Sequence, residues 1–373
     1  MTWLESDKMS LREEFVLLTS KDNCNFSKTC KRFNISRPTG YKWLKRYKDK
    51  GLQNLIDKSR ARKSICHKTD KTIEDLIIEL RKKHQAWGPR KLKRRLENLG
   101  NKNIPSHVTV GNILKRNNMI SQEASDKAQA FIRFEHPNPN DLWQMDFKGW
   151  FETDEARCYP LTVLDDHSRF SIILKACYHE RTEPVKDELS LAFKKYGLPK
   201  RMTMDNGAPW GGSDRKQLTK ITAWLIRLGI KVSHSRPYHP QTQGKDERFH
   251  RTLKAELLRF NKFSSLSEVD IAFEKWRHIY NTQRPHEALN MDVPIDHYNI
   301  SKRIYPEILP ELIYADNDIV RKVNSDGALS INGKKTRISR ALIGEKVALR
   351  KSKTGIDIYY CHQKIKSIKS SLK

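Results

Sequence analysis

Residues 142–149 read LWQMDFKG, an apolar run with one carboxylate, Asp146, inside it. It reads as a strand, and the runs YPLTVLDD (159–166) and RFSIILKAC (169–177) read as two more. A helix is expected over 183–196, ended by Gly197 and Pro199. A short strand RMTMD (201–205), a helix QLTKITAWLIRLG (217–229) and a strand IKVSH (230–234) follow. After the loop SRPYHPQTQGK (235–245) come two long helices, the second opened by a capping box from Ser265 to Glu268. Three strands, then helix, strand, helix, strand and helices predict a mixed α/β sheet over 141–300.

Outward from this segment the chain changes character. Residues 1–58 predict three short helices: Leu11 to Ser20, Phe26 to Phe33 and Thr39 to Lys50. Ser36 is placed to cap the third, Pro38 sits in its first turn, and Gly51 stops it. The last helix is the most basic, the layout of a helix-turn-helix DNA reader. Arg37, Lys42, Lys45 and Arg46 are its candidate DNA contacts. A basic linker leads to a second three-helix pattern over 68–121, built from 70–84, KLKRRLENLG (91–100) and HVTVGNILKRNN (107–118). At the other end, 314–373 reads as short strands divided by turn signals such as Asn332-Gly333, which predicts a small β-barrel of about five strands. The expected fold is therefore multidomain: α-helical modules, an α/β core and a small β-barrel.

The 373 residues carry a formal charge of +28. It is unevenly spread: +16 over 1–125, +3 over 126–300 and +9 over 301–373. Basic ends predict a polyanionic partner, double-stranded DNA, held through its phosphates. No apolar run reaches the roughly 20 residues of a membrane span, so no membrane partner is expected. The start MTWLESDKMSLREEF has no apolar signal region, and six Cys without a CxxC pair predict ordinary thiols in a reducing cytoplasm.

Three carboxylates stand out. Asp146 lies inside the first strand, Asp205 ends the fourth at the turn Asp205-Asn206-Gly207, and Glu247 follows the long loop. Brought together they would repel unless a cation sat between them, and hard oxygen ligands suit Mg²⁺ or Mn²⁺. Arg251 and Lys254 fall four and seven residues after Glu247, on one helical face, either to hold scissile phosphates or to pair with Glu247 along the helix surface. Tyr238, His239 and Gln243, in the loop before that helix, are read as positioning a DNA end. Asp165 and Asp166 are read as a hydrogen-bonded turn, Asp246 as solvent-facing, and Trp210, Trp224 and Trp276 as core.

The strings WQMDFKG, LTVLDDHSRF, DNGAPWG and HPQTQGKDERFHRTLKAE, in that order, resemble the catalytic core of retroviral-integrase-like transposases. The likeness is closest to bacterial insertion-sequence transposases with a D,D,E active site. It implies a ribonuclease-H-like fold and metal-dependent DNA cleavage and strand transfer by in-line phosphoryl transfer, with two Mg²⁺ ions for which Mn²⁺ substitutes. Asp146, Asp205 and Glu247 then match the three catalytic, metal-binding acids. The resemblance also implies a bacterial, nucleoid-associated chain, acting on element ends and target DNA as a homodimer or higher oligomer. The 41 residues between Asp205 and Glu247 are a longer interval than the family pattern leads one to expect. Two other classes stay open: a domesticated DNA-binding regulator, and a plain nuclease of the same fold.

Overall fold

The computed structural model describes residues 8–57, 69–120, 136–211, 218–234, 244–331, 333–352 and 355–369. They fall into two compact units, 1–68 and 69–373.

The first unit has three helices, α1 (Lys8–Thr19), α2 (Phe26–Arg32) and α3 (Arg37–Lys50). Asn25 caps α2, Ser36 caps α3 by accepting from the Thr39 N–H, and Gly51 ends α3 at φ 66°. Their core is Phe15, Val16, Cys30, Trp43 and Leu55. Gly40 lets α3 approach closely, because a Cβ there would lie 2.8 Å from the Cys30 sulfur and 2.9 Å from the Phe15 ring.

The second unit opens with α4 (Lys71–Lys83), α5 (Pro89–Asn98) and α6 (His107–Arg116), packed around Ile77, Trp87, Leu92 and Ile113. The sheet follows: β1 (Trp143–Phe147), β2 (Phe151–Glu152), β3 (Arg157–Asp165), β4 (Ser171–Cys177), helix α7 (Thr182–Tyr196), β5 (Arg201–Met204), helix α8 (Lys220–Arg227) and β6 (Lys231–His234). β3 pairs antiparallel with β1, β2 and β4, while β1, β5 and β6 run parallel side by side. This is the mixed sheet the strand pattern predicts. Only the two-residue β2 is new. It is too short to leave a periodic signal.

Helix α9 (Gly244–Leu253) runs into a π-helical turn, Lys254–Leu258, and α10 (Leu266–Thr282) follows. Ser265 caps α10 through the Glu268 N–H, and the Glu268 carboxylate accepts from the Ser264 N–H, one residue earlier than an ideal capping box. Phe249, Leu253, Phe273 and Trp276 bury the two helices against one sheet face. The second three-helix group is tied to the segment after α10 by Arg94–Asp292 and Arg95–Gln283, each at 2.9 Å.

The remaining strands are β7 (Ile319–Lys322), β8 (Ala328–Ile331), β9 (Lys334–Arg337), β10 (Lys346–Ser352), β11 (Gly355–Tyr360) and β12 (Gln363–Lys369). Here the expectation of a closed barrel is corrected. The strands form a four-stranded sheet, β12-β11-β10-β7, and a separate β8-β9 pair, and no pairing among the described strands closes them. The physical reason is that their apolar faces are buried elsewhere. Val347, Ile358 and Tyr360 join one continuous core with Leu225, Ile226 and Val232 of the sheet domain. The Gln363 amide meets both backbone groups of Val232, at 2.8 and 2.9 Å, which covers the edge strand β6. Among the described residues no helix is long and apolar enough to cross a membrane, and the five described cysteines are all free thiols.

Candidate active site

Asp146 lies on β1 opposite Thr162 of β3. On the other side β1 pairs with β5 through Gln144↔Thr203, a register that runs on towards Asp146 and Asp205. Asp205 leaves β5 into a tight turn. Its Oδ1 accepts from the Gly207 N–H at 2.9 Å and from the Trp210 indole N–H at 2.5 Å. Trp210 is buried and stacks 5.2 Å from the ring of Phe147, the neighbour of Asp146. The turn demands glycine, since a Cβ on Gly211 would lie 1.9 Å from the Asn206 carbonyl oxygen. His234 of β6 meets the Asp205 carbonyl at 2.8 Å.

Glu247 sits in the first turns of α9, exposed, with Arg251 and Lys254 exposed after it. The buried face of α9 carries Asp246, Phe249 and Leu253. Asp246 is 1% exposed, so its reading as solvent-facing is corrected. Seven residues at about 100° each bring position 246 within about 20° of Leu253, so the apolar residues downstream already mark that face as buried. Neither carboxylate oxygen of Asp246 has a hydrogen-bond partner, nor does the buried Oε1 of Gln144.

The electrostatics converge on Asp146. Burial pushes its carboxyl up to about 7, helped first by Asp205 and then by Glu180 and Glu247. Asp246 is pushed well above the carboxylate range by burial, with Asp146 the strongest charge acting on it. These acids come from β1, the end of β5, the loop after β4 and α9. All their donors are hard carboxylate oxygen, the chemistry that suits a divalent cation. As they stand, no three acidic, His or Cys side chains among the described residues gather closely enough to hold an ion.

Asp165 and Asp166 are engaged otherwise. Asp165 accepts from Ser168 and from the Asn140 N–H, the turn expected. Asp166 pairs with Lys245 at 2.6 Å and accepts from Gln144 at 2.8 Å. Trp210, Trp224 and Trp276 are core residues, as expected. In the first unit Arg37, Lys42 and Lys45 are exposed. Arg46 is half-buried, with its guanidinium 4.7 Å from the Trp43 ring centre. Tyr238, His239 and Gln243 lie outside the described residues. Sequence reasoning missed His250 and the Trp210 bond to Asp205. Both depend on contacts between segments far apart in the chain.

Known proteins bear on the same segments. An integrase core domain matches residues 136–240, and a second integrase core model matches 228–294. A helix-turn-helix domain matches 11–63, a homeodomain-like domain 39–114, and the C-terminal domain of IS481 family transposases 318–370. The transposase for transposon Tn552 of Staphylococcus aureus is 25% identical over 346 residues, 81% of this chain and 70% of that protein. An uncharacterized 31.7 kDa protein of insertion element IS407 in Burkholderia multivorans is 23% identical over 222 residues, 58% of this chain and 77% of that one. Among solved structures, the HTLV-2 integrase catalytic core in complex with magnesium is 17% identical, with a TM-score of 0.35 over 44% of this chain and 99% of that one.

Proposed function

We propose that this chain, which belongs with the integrase-core transposases of bacterial insertion elements, binds the terminal inverted repeats of its element and catalyses DNA cleavage and strand transfer there. Asp146, Asp205 and Glu247 are the catalytic acids and would hold two divalent cations, Mg²⁺ or Mn²⁺. When bound, such a pair neutralises charge on the attacking and leaving oxygens of an in-line displacement. The chain's own residues do the rest. Trp210 and Gly207 fix the Asp205 carboxylate by their N–H groups. Arg251 and Lys254 hold the scissile phosphates beside Glu247, and Tyr238 and Gln243 place the DNA end. The nucleophile is a water in cleavage and a DNA 3′-hydroxyl in joining, and no covalent enzyme–DNA intermediate forms.

The observation that carries this reading is the setting of Asp146, a half-buried strand carboxyl raised first by burial and then by the charges of Asp205, Glu180 and Glu247 from other elements. A purely structural acid gains nothing from such neighbours, whereas a metal ligand needs them. The labour divides along the chain: 1–58 and 68–121 grip the element end, with Arg37, Lys42, Lys45 and Arg46 in the first module. Residues 141–300 do the chemistry, and 314–373 bind DNA backbone. The protein works as a dimer or higher oligomer on DNA in the bacterial cytoplasm.

An assay with precut element ends and a plasmid target tests the reading. Joined products with Mg²⁺ support it. Hydrolysis without joining would identify a plain nuclease, and end binding with neither reaction a DNA-binding regulator.

A further inference from the structure

The outward face of α3 carries one aromatic ring among cations. Tyr41 is 53% exposed, and Arg37, Lys42 and Lys45 around it are exposed as well. No acid occurs between Arg37 and Lys48. At about 100° per residue, Arg37, Tyr41 and Lys45 fall within about 80° of one another on the helix. Gly40 and Trp43 are buried on the other side of it. The Tyr41 ring is held in place, for it stacks on Phe26 at the start of α2, with ring centres 4.2 Å apart and planes 21° apart. Phe26 is braced in turn, edge-on, by the buried ring of Phe15 at 6.0 Å. One side of the Tyr41 ring is thus packed, and the rest stands rigidly outward among positive charges.

We propose that Tyr41 reads a thymine in the element end, its ring packed against the C5-methyl group in the major groove. The proposal rests on the reading of residues 1–58 as a grip on that end. A cationic helix face draws in duplex DNA, and its Lys and Arg side chains find phosphates and base acceptors there. An aromatic ring in the middle of that face needs an apolar partner on the same duplex. On the major-groove edges of the base pairs that partner is the thymine methyl. The position along the helix agrees. In helix-turn-helix readers the N-terminal residues of the recognition helix contact base edges, and Tyr41 is the fifth residue of α3. Arg37 and Lys45, one turn to either side, fix the helix over the groove, and Tyr41 supplies a dependence on sequence that phosphate contacts lack.

The test is fluorescence anisotropy of the full-length protein on a duplex of the terminal inverted repeat. Each thymine in turn is replaced by uracil, which removes the methyl group alone. The wild type is expected to lose about 3–10-fold in affinity at one or two of these positions. Tyr41→Ala should bind the all-thymine duplex more weakly by at least that factor and be indifferent to uracil at those positions. Its binding to an unrelated duplex should stay unchanged. Tyr41→Phe, which keeps the ring and its stack on Phe26, should keep the methyl sensitivity. Wild-type indifference to every replacement, in a protein that still prefers the repeat to an unrelated duplex, would overturn the proposal and leave end binding standing. So would an equal loss in Tyr41→Ala on the repeat and on the unrelated duplex, the mark of a backbone contact. No preference for the repeat in the wild type would overturn the end-binding reading itself.

Discussion

The imidazole Nε2 of His250 lies 2.8 Å from the Thr162 hydroxyl, which donates in turn to the Asp146 carbonyl at 2.9 Å. Thr162 has one proton and spends it on Asp146, so His250 donates from Nε2, as the neutral Nε2–H tautomer can. Burial, with Lys148 nearby, pushes its pKa down to about 3, in keeping with that state. The bond ties α9, which carries Glu247, to the strand pair that carries Asp146. His250→Ala is therefore expected to slow strand transfer by about 10–100-fold at saturating DNA. End-binding affinity should stay unchanged, and His250→Asn, which retains a donor, should recover part of the rate. An equal loss in binding and rate in gel-shift and single-turnover assays would speak against this positioning role.

Asp146 predicts a pH-dependent stability. Its carboxyl rises from 3.8 to about 7 on folding, chiefly through burial. The folded chain thus binds a proton that the unfolded chain releases. The stabilisation is complete below about pH 4 and is lost as the pH rises through about 7, at about 1.4 kcal/mol per pH unit across that window. Thermal melts of the metal-free protein should fall accordingly. Mg²⁺ should raise the midpoint more at pH 8 than at pH 5, because the cation competes with that proton. A metal effect independent of pH would contradict the assignment.

Arg284 and Glu256 form an ion pair at 2.7 Å with both side chains 8% exposed. It joins the turn after α10 to the π-helical turn after α9. Breaking a buried pair strands a charge, so Arg284→Met should cost about 3–5 kcal/mol in urea unfolding. Replacing both partners with apolar residues should recover most of that loss. A single-variant cost under about 1 kcal/mol would mean that water reaches the pair.

How much of this was legible in the sequence follows from the range of each interaction. Caps and stops at Ser36, Gly51 and Ser265 are local chemistry, and they stand where the sequence puts them. The sheet strands were readable because apolar runs are bounded by turns. The C-terminal strands were readable too, but not their assembly. Their inward faces close over Leu225 and Val232, about a hundred residues away in sequence, rather than over one another. The solvent-facing reading of Asp246 fails because Phe249 and Leu253 fix the buried face of α9 and Asp246 lies on it. The Trp210–Asp205 and His250–Thr162 bonds leave no periodic trace and needed coordinates.

The +16 of residues 1–125 predicts a salt-sensitive grip on DNA. If 6–10 phosphates are contacted, raising the salt from about 50 to 200 mM should weaken end binding by about 10³–10⁵-fold. Fluorescence anisotropy on a labelled element end measures it. A flat response would mean that the basic ends are not the grip.

The central claim is that one set of acids does the chemistry while other residues hold the DNA. Single-turnover cleavage and strand transfer by Asp205→Asn and Glu247→Gln, run beside gel shifts on the same element end, test it most directly. The account predicts that both reactions disappear while the end is bound as tightly as by the wild type. Retained strand transfer in either variant, or end binding lost together with the chemistry, would contradict it.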